Sequence, residues 1–305
     1  MEGFVKVNGH PVHYVEFGKG FPVFCIHGYA VDWRMMAGCL EPVFEKHDGY
    51  RRIYIDLPGH GQTPPGLLKT SNAWLETISG AIDELIGKEQ HFLLAGQSYG
   101  SYMQLGLHCL RNEQIDGSLF IVPCPMADRP PRQLPEKQFT EYDEEFMDTL
   151  PEEWRARMES WGCMMNKRVW RTFEQDIIPG LKLEVKPYTR YIVDNAYKLT
   201  YEEDKENGFK NIKFDKPSLW ITGKQDHYVG YKDSLPYITN EQFTRSTFVA
   251  LDGASHLIPN EKEDLFHLLV EDWLYRIEKL QPIKYVTGYK VYGTPEEKWV
   301  FEDEK

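Results

Sequence analysis

The chain combines two patterns of apolar and polar positions. Short runs in which nearly every residue is apolar, such as 21–26 and 119–122, are typical of strands that are buried on both faces. Between these runs, apolar side chains recur at the spacing of one helix face, as in Trp33, Met36, Leu40 and Phe44. Because a strand, a helix and a strand in succession favour parallel pairing, the pattern predicts an α/β fold with a mostly parallel, doubly wound sheet.

The predicted elements follow a regular order on either side of residues 125–214. Near the amino terminus, an Asn8-Gly9 turn between two apolar stretches predicts a hairpin. Strands are then predicted at 21–26, 52–55, 91–95 and 119–122, with helices at 33–44, 73–86 and 101–111. The sheet resumes with strands at 217–222 and 246–251, beside helices at 231–238 and 260–280.

Residues 125–214 interrupt this order. Prolines lie at both ends of the segment, three or four helical patterns lie within it, and no convincing buried strand occurs before 219–222. We therefore predict an inserted helical cap. The chain would then divide into a core of residues 1–124 and 215–280, the cap, and a carboxyl-terminal extension, 281–305, to which the sequence assigns no role.

Composition narrows the class of protein. The chain has 305 residues, of which 41% are hydrophobic, and a net charge of −12, so a globular protein is expected and a nucleic-acid partner is not. It has neither a signal-peptide pattern nor an apolar run near the roughly 20 residues that span a bilayer. We therefore expect a cytoplasmic protein without membrane association. The five cysteines form no C-x-x-C pair, which argues against disulfides and zinc sites.

One stretch of the sequence carries a chemical signal. Gly96-Gln97-Ser98-Tyr99-Gly100 is a G-x-S-x-G sequence that follows a predicted strand and precedes a predicted helix. On such a tight turn, a serine projects its hydroxyl beyond the edge of the sheet, and the flanking glycines allow neighbouring backbone to approach. Ser98 is therefore the candidate nucleophile.

Four further stretches, together with this one, resemble the α/β-hydrolase superfamily with a helical lid. They are His27-Gly28-Tyr29, Asp-Leu-Pro-Gly-His-Gly at 56–61, Gly-Lys-Gln-Asp at 223–226 and Gly-Ala-Ser-His at 253–256. The resemblance spans residues 4 to about 280 and keeps the family's order of Ser, Asp and His. It implies Ser98 as nucleophile, His256 as base and Asp226 as the acid that orients the base. It also implies an oxyanion hole formed by the backbone N–H groups of Tyr29 and Tyr99.

General chemistry supports these roles and leaves two alternatives. A serine hydroxyl needs an imidazole within hydrogen-bond reach to remove its proton. His227 is the rival base, although its position next to Asp226 makes an oriented pair difficult, and Asp128 is the alternative acid. Asp56 and His27 are better explained as braces of their loops. No metal-ligand or nucleotide-binding motif occurs, so neither a metal nor a cofactor is expected.

The expected reaction follows from the nucleophile. We predict hydrolysis of a small carboxylic ester through an acyl-enzyme intermediate. Three alternatives remain. The first is an aminopeptidase that resembles proline iminopeptidases and binds an ammonium group through the acidic residues at 141–145. The others are a hydrolase of C–C bonds in diketone-like acids and a ligand-binding sensor without turnover. The substrate is expected to be a small molecule with a compact apolar or aromatic acyl group. Its predicted contacts are Trp33, Met126, Trp154, Trp161 and His227.

Overall fold

A sheet of eight strands forms the centre of the protein within residues 1–279, the part of the chain that this computed structural model describes. Two further strands, β7 and β8, pair with each other only. The bounds are β1 Glu2–Val7, β2 His10–Gly18, β3 Phe21–Ile26, β4 Tyr50–Ile55, β5 Phe92–Gln97, β6 Ile115–Ile121, β7 Glu141–Tyr142, β8 Met164–Met165, β9 Ser218–Gly223 and β10 Ser246–Leu251. The order across the sheet is β1-β2-β4-β3-β5-β6-β9-β10.

Most neighbouring strands of this sheet are parallel. β1 pairs with β2 and β2 with β4 in antiparallel fashion, and the other pairs are parallel. The helices are α1 Trp33–Phe44, α2 Ser71–Leu85, α3 Tyr99–Arg111, α4 Glu144–Met147, α5 Glu152–Trp161, α6 Lys167–Thr172, α7 Ile178–Leu183, α8 Lys186–Asn195, α9 Tyr231–Thr239, α10 Ile258–Glu261 and α11 Glu263–Lys279. α1 packs with α11, and α2 packs with α3. The predicted α/β fold with a mostly parallel sheet is therefore confirmed.

The segment between β6 and β9 is helical. It contains α4 to α8, which is one helix more than the upper number predicted, and a π-helical stretch, Phe173–Ile177, that joins α6 to α7. The strands β7 and β8 within it are two residues long. The predicted extension at 281–305 lies outside the described residues.

Several element bounds differ from the prediction, most of them by one or two residues, and two larger differences concern β6 and the last helix. β6 begins at Ile115 rather than at 119, because the polar Ser118 is buried in the strand and its hydroxyl lies 2.8 Å from Nε2 of His108. The helix predicted at 260–280 is divided at Lys262, whose φ of −128° and ψ of 42° depart from helical values. α10 is therefore a separate turn before α11.

The central strands are buried on both faces, as their continuous apolar runs predict. Every residue of β5 and β9 is buried. The rings of Phe120 and Trp220, on the neighbouring strands β6 and β9, stack with centroids 3.8 Å apart. Trp273 fixes α11 to the sheet, because its ring is fully buried and its Nε1–H donates to the carbonyl of Pro217 at 3.1 Å.

The strand order brings four loops to one edge of the sheet. β3, β5, β9 and β10 run in the same direction, so the loops after their carboxyl ends lie at the edge where parallel sheets bind ligands. The five cysteines are unpaired, and all except Cys109 are buried. In the described part of the chain, no helix is long and apolar enough to cross a membrane, and no cluster of side chains could hold a metal ion.

Candidate active site

Ser98 occupies a strained turn between β5 and α3. Its φ of +51° and ψ of −114° are uncommon for a residue with a side chain. The flanking glycines are required by space, because a Cβ on Gly96 would lie 2.7 Å from the backbone of Gly100, and one on Gly100 would lie 2.1 Å from the carbonyl of Ile26. The N–H of Ser98 donates to the carbonyl of Ile121 at 2.9 Å, which holds the turn against β6.

Ser98, His256 and Asp226 form one hydrogen-bonded chain. Nε2 of His256 lies 3.0 Å from Oγ of Ser98, and Nδ1 lies 2.8 Å from Oδ2 of Asp226. The second oxygen of the buried Asp226 accepts the backbone N–H groups of Tyr228 at 2.8 Å and Val229 at 3.0 Å. Because a carboxylate faces Nδ1, the proton of a neutral His256 resides on Nδ1 and Nε2 is free to accept from Ser98.

The loop that carries His256 is fixed by a buried carboxylate. Glu261 accepts the backbone N–H of Ser255 at 2.7 Å and the hydroxyl of the same residue at 2.8 Å. It also accepts the N–H groups of Cys163 at 2.6 Å and Met164 at 3.2 Å. One carboxylate therefore ties the histidine loop to the helical segment.

The backbone after β3 approaches the nucleophile closely. A Cβ on Gly28 would lie 1.9 Å from Oε1 of Gln97 and 3.2 Å from Cβ of Ser98, so a side chain here would have to displace the amide of Gln97 and would crowd Ser98. The N–H groups of Tyr29 and Tyr99 donate no hydrogen bond to any group within residues 1–279. Tyr99 follows Ser98 in the chain and Tyr29 lines both cavities with Ser98, so both N–H groups remain candidates for the predicted oxyanion hole.

Buried histidine and aspartate side chains brace the adjoining loops. His27 donates from Nδ1 to the carbonyl of Gly28 at 2.6 Å and accepts the N–H of Leu57 at Nε2, 2.9 Å away. Burial lowers the pKa of His27, so the ring is neutral near pH 7. Asp56 accepts the N–H groups of Trp33 at 3.0 Å and Gln62 at 2.8 Å. The bracing roles expected for His27 and Asp56 match these contacts.

Hydrogen bonds decide the ionisation of Asp56. Burial by itself would raise the pKa of this carboxyl group. The hydrogen bond from Nδ1 of His13, 2.8 Å away, and the backbone N–H groups outweigh burial and lower the pKa below its ordinary value. Asp56 is therefore charged and held in place by three donors.

The rival base and the alternative acid lie elsewhere. Nδ1 of His227 is buried without a partner among the described residues, and the ring packs against Tyr228 with centroids 4.7 Å apart. Burial lowers the pKa of His227 to about 4. Asp128 pairs with Nζ of Lys198 at 2.6 Å, whereas Nδ1 of His256 pairs with Asp226. Neither residue takes part in the hydrogen-bonded chain that contains Ser98.

Two adjoining cavities open at Ser98. The wide cavity has a volume of about 850 Å³ and is lined by the side chains Ser98, His256, Tyr29, Trp161, Tyr197 and Tyr228, among others. The small cavity has a volume of about 20 Å³ and shares Tyr29, Ser98, Trp161 and His256 with the wide one. The rest of its lining is mostly apolar, with Val31, Met35, Ile177 and Leu257. The nucleophile therefore lies between a spacious and a confined space.

Of the five side chains predicted to contact substrate, Trp161 lines both cavities and the other four line neither. Trp33 packs near Phe17 at the start of α1, with ring centroids 6.4 Å apart. The carbonyl of Met126 accepts a guanidinium N–H of Arg132 at 2.9 Å. Their positions are set by the core and by a loop rather than by the cavities.

The remaining two are engaged with other side chains. Trp154 lies two turns before Trp161 on α5 and is covered by Nζ of Lys182, 5.6 Å from its ring. His227 packs on Tyr228, as described above. Sequence reasoning missed Tyr197 and Tyr228, as well as the cationic residues of the wide cavity, Arg129, Arg132, Arg157, Arg190 and Lys198. Residues 125–214 contain 18 acidic and 15 basic side chains, so the nearly balanced charge of this segment gave no sign of the local excess.

A family model described as alpha/beta hydrolase fold matches residues 22–263. The chain belongs to this family. An α/β superfamily hydrolase from Oenococcus oeni PSU-1 has a similar structure, with a TM-score of 0.80 and 28% identity over 91% of this chain and 100% of that one. An esterase from Exiguobacterium antarcticum has a TM-score of 0.63 at 18% identity, over 90% of this chain and 100% of that one, which shows a shared fold.

A curated relative matches a shorter stretch. The pimeloyl-[acyl-carrier protein] methyl ester esterase of Shewanella oneidensis is 30% identical over 69 residues, which are 23% of this chain and 24% of that protein. The match thus spans about a quarter of the length of that esterase. The family membership confirms the resemblance inferred from the five sequence stretches and leaves the subfamily undetermined.

Proposed function

We propose that this protein is a serine hydrolase that cleaves small carboxylic esters through an acyl-enzyme intermediate. The observation that carries the proposal is the hydrogen-bonded chain from Asp226 through His256 to Ser98, which opens on the wide cavity. In this arrangement Asp226 fixes the tautomer of the imidazole, and the imidazole activates the hydroxyl.

The first half of the reaction would acylate Ser98. Oγ attacks the ester carbonyl carbon while Nε2 of His256 takes the hydroxyl proton. Negative charge then develops on the carbonyl oxygen, where the N–H groups of Tyr29 and Tyr99 would donate to it. The imidazolium gives its proton to the ester oxygen, the C–O bond breaks, and an alcohol leaves.

The second half would restore the enzyme. Nε2 of His256 takes a proton from a water molecule, and the resulting hydroxide attacks the acyl carbon. The bond from that carbon to Oγ breaks, the imidazolium returns its proton to Oγ, and a carboxylic acid leaves. Asp226 stays ionised throughout and stabilises the imidazolium that forms in both halves.

The charges of the wide cavity favour an ester over the aminopeptidase alternative. An aminopeptidase would need unpaired carboxylates to hold the ammonium group of its substrate. The acidic residues 141–145 are exposed and lie outside the lining, and Asp143 caps α4 by accepting the N–H of Phe146 at 3.0 Å. The name of the Shewanella relative, a methyl ester esterase, also supports ester hydrolysis.

Covalent labelling separates an enzyme from a sensor. A fluorophosphonate probe should label the wild-type protein and leave Ser98→Ala unlabelled, because the probe reacts with an activated serine. Wild-type protein that has not been exposed to the probe is then assayed with p-nitrophenyl esters, proline arylamides and a diketone-like acid. Ester turnover without arylamide turnover is expected. Absence of labelling would contradict an activated serine, and faster cleavage of the arylamide or of the C–C bond would replace the ester assignment.

A further inference from the structure

The wide cavity is cationic, although the whole chain has a net charge of −12. Its lining contains five basic side chains, which are Arg129, Arg132, Arg157, Arg190 and Lys198. Among residues 1–279, two carboxylates line it, those of Asp128 and Asp194. The cavity beside the candidate nucleophile therefore has the opposite sign of charge from the protein.

Three of these cations are held by protein groups. Nζ of Lys198 lies 2.6 Å from Asp128, and Nε of Arg190 lies 2.8 Å from Asp194. The guanidinium of Arg132 donates to backbone carbonyls, including that of Tyr228 at 2.8 Å. Both carboxylates of the lining are thus already paired, and Arg132 organises the surrounding loops.

The other two cations have no such partner. Within the described residues, the guanidinium groups of Arg129 and Arg157 form neither an ion pair nor a hydrogen bond. Each guanidinium instead lies over an aromatic ring that lines the cavity, Arg129 at 5.3 Å from the ring of Tyr228 and Arg157 at 5.3 Å from that of Trp161. A ring contact steadies a guanidinium and occupies none of its five N–H donors. Two fixed charges with unoccupied donors therefore face the same cavity as Ser98.

We propose that the wide cavity contains a subsite for an anionic group of the substrate, bound by Arg129 and Arg157. The inference rests on the proposed function, since it describes what else the ester hydrolysed at Ser98 would carry. A carboxylate matches this pair, because the planar fork of a guanidinium donates two parallel N–H bonds to carboxylate oxygens. The rings of Tyr228 and Trp161 would pack on the part of the substrate that joins the anion to the ester.

The volume of the small cavity limits the size of the group on the other side of the ester bond. At about 20 Å³ it holds one water molecule or a group of methyl size. The substrate is therefore asymmetric about the ester bond, with a methyl-sized group in the small cavity and a longer anionic part in the wide cavity. Two kinds of ester have this shape, a methyl ester of a dicarboxylic acid and an acetate ester of a hydroxy acid.

The test compares each anionic ester with its neutral amide counterpart. One arm uses monomethyl esters of the linear dicarboxylic acids from succinate to suberate, against the same methyl esters with a carboxamide at the far end. The second arm uses 2-acetoxyacetate against 2-acetoxyacetamide. Release of acid is followed in a pH-stat at low ionic strength, and the measured quantity is the ratio of kcat/KM for the anionic ester to that for the neutral ester.

We expect a ratio of about 10 to 100 in one of the arms, because the loss of a hydrogen bond to a charged group lowers binding by about this factor. The arm that shows it identifies the side of the ester that carries the anion. Arg129→Gln and Arg157→Gln should each lower the ratio by about tenfold. Arg155→Gln is the matched control, since Arg155 lies on the same helix as Arg157, pairs with Asp148 and Glu159, and lies outside the cavity lining. This control should keep the wild-type ratio.

Two further measurements support the comparison of variants. The salt dependence is measured on the wild-type protein, and calorimetry measures binding without turnover. The wild-type ratio should fall as ionic strength rises, because Arg129 is exposed and its charge is screened. Calorimetric titration of Ser98→Ala with monomethyl glutarate should show binding that the added change Arg157→Gln weakens about tenfold. Such binding without turnover in the wild type would reject ester hydrolysis and keep the subsite. A ratio near one in both arms, or a ratio that survives loss of both arginines, would reject the subsite and keep ester hydrolysis.

Discussion

Replacing Glu261 by glutamine tests whether a buried carboxylate fixes the position of the candidate base. The side chain is 1% exposed and uses both oxygens. Oε1 accepts the N–H groups of Cys163 and Met164, and Oε2 accepts the N–H of Ser255, next to His256. Glutamine has nearly the same shape, but one of the two oxygens becomes an NH₂ group, which can only donate.

Either orientation of the new amide leaves a buried donor without an acceptor. If the NH₂ group replaces Oε2, the N–H of Ser255 is orphaned. If it replaces Oε1, the N–H groups of Cys163 and Met164 are orphaned. An unsatisfied buried donor costs about 1–3 kcal/mol, and a hydrogen bond to a charged acceptor contributes about 1.5–3 kcal/mol. We therefore expect Glu261→Gln to lower the free energy of unfolding by about 2–4 kcal/mol.

Activity should fall together with stability. The orphaned donors lie in the loop of His256 and in the segment at 163–164, so the imidazole loses part of its support. A displacement of about 1 Å can lower a rate by roughly 100-fold, and we expect a 10- to 100-fold decrease in kcat. The assays are urea unfolding followed by circular dichroism and hydrolysis of p-nitrophenyl acetate, whose methyl group fits the small cavity.

Glu263→Gln is the matched control for this change. Glu263 is two residues away and pairs with Arg171 at 3.1 Å near the surface, where an ion pair contributes less than about 1 kcal/mol. It should lower stability slightly and leave kcat unchanged. The reasoning would be refuted if Glu261→Gln cost no more stability than Glu263→Gln and kept the wild-type kcat.

The elements that carry the candidate site could be predicted because their signals are local. The elbow at Ser98 requires glycine at 96 and 100, since a Cβ at either position would collide with backbone. The identity of these two residues therefore indicates the turn without knowledge of the rest of the fold. Asp226 and His256 likewise follow apolar strands whose carboxyl ends meet at one edge of the sheet. The topology of a parallel sheet then brings together residues that are far apart in the chain.

The cavity lining could not be predicted because it depends on the packing of the helical segment. Trp154 and Trp161 share a face of α5, but seven residues of helix span roughly 10 Å, so the two rings meet different neighbours. Trp161 reaches the cavity and Trp154 lies under Lys182. Arg157 lies one turn before Trp161, at the spacing that allows its guanidinium to lie over the indole. Helical periodicity places these residues on a face but does not specify what the face meets.

Four further expectations concern the site itself. Ser98→Ala should lower kcat by roughly 10⁴- to 10⁶-fold without changing the thermal unfolding temperature, and a variant that kept a tenth of the ester hydrolysis would exclude Ser98 as nucleophile. Asp226→Asn should lower kcat by roughly 10⁴-fold by favouring the wrong tautomer, whereas Asp128→Asn should have little effect, and the opposite ranking in initial-rate measurements would identify Asp128 as the acid. Gly28→Ala should give a folded protein with kcat lowered by roughly 100-fold, because its Cβ would lie 1.9 Å from Oε1 of Gln97 and 3.2 Å from Cβ of Ser98, so that the amide of Gln97 and the turn beside the nucleophile must shift. An unchanged kcat on p-nitrophenyl acetate would show that this turn tolerates the shift. Finally, kcat/KM should fall from methyl butanoate to methyl dodecanoate. A short acyl chain stays beside the aromatic rings, but a long one reaches the guanidinium groups of the wide cavity and strips water from charges that it cannot pair. Higher activity on an emulsified long-chain triglyceride than on a soluble butanoate ester would contradict this argument. It would mean that a long alkyl chain can displace water from the charged groups of the wide cavity without loss of activity.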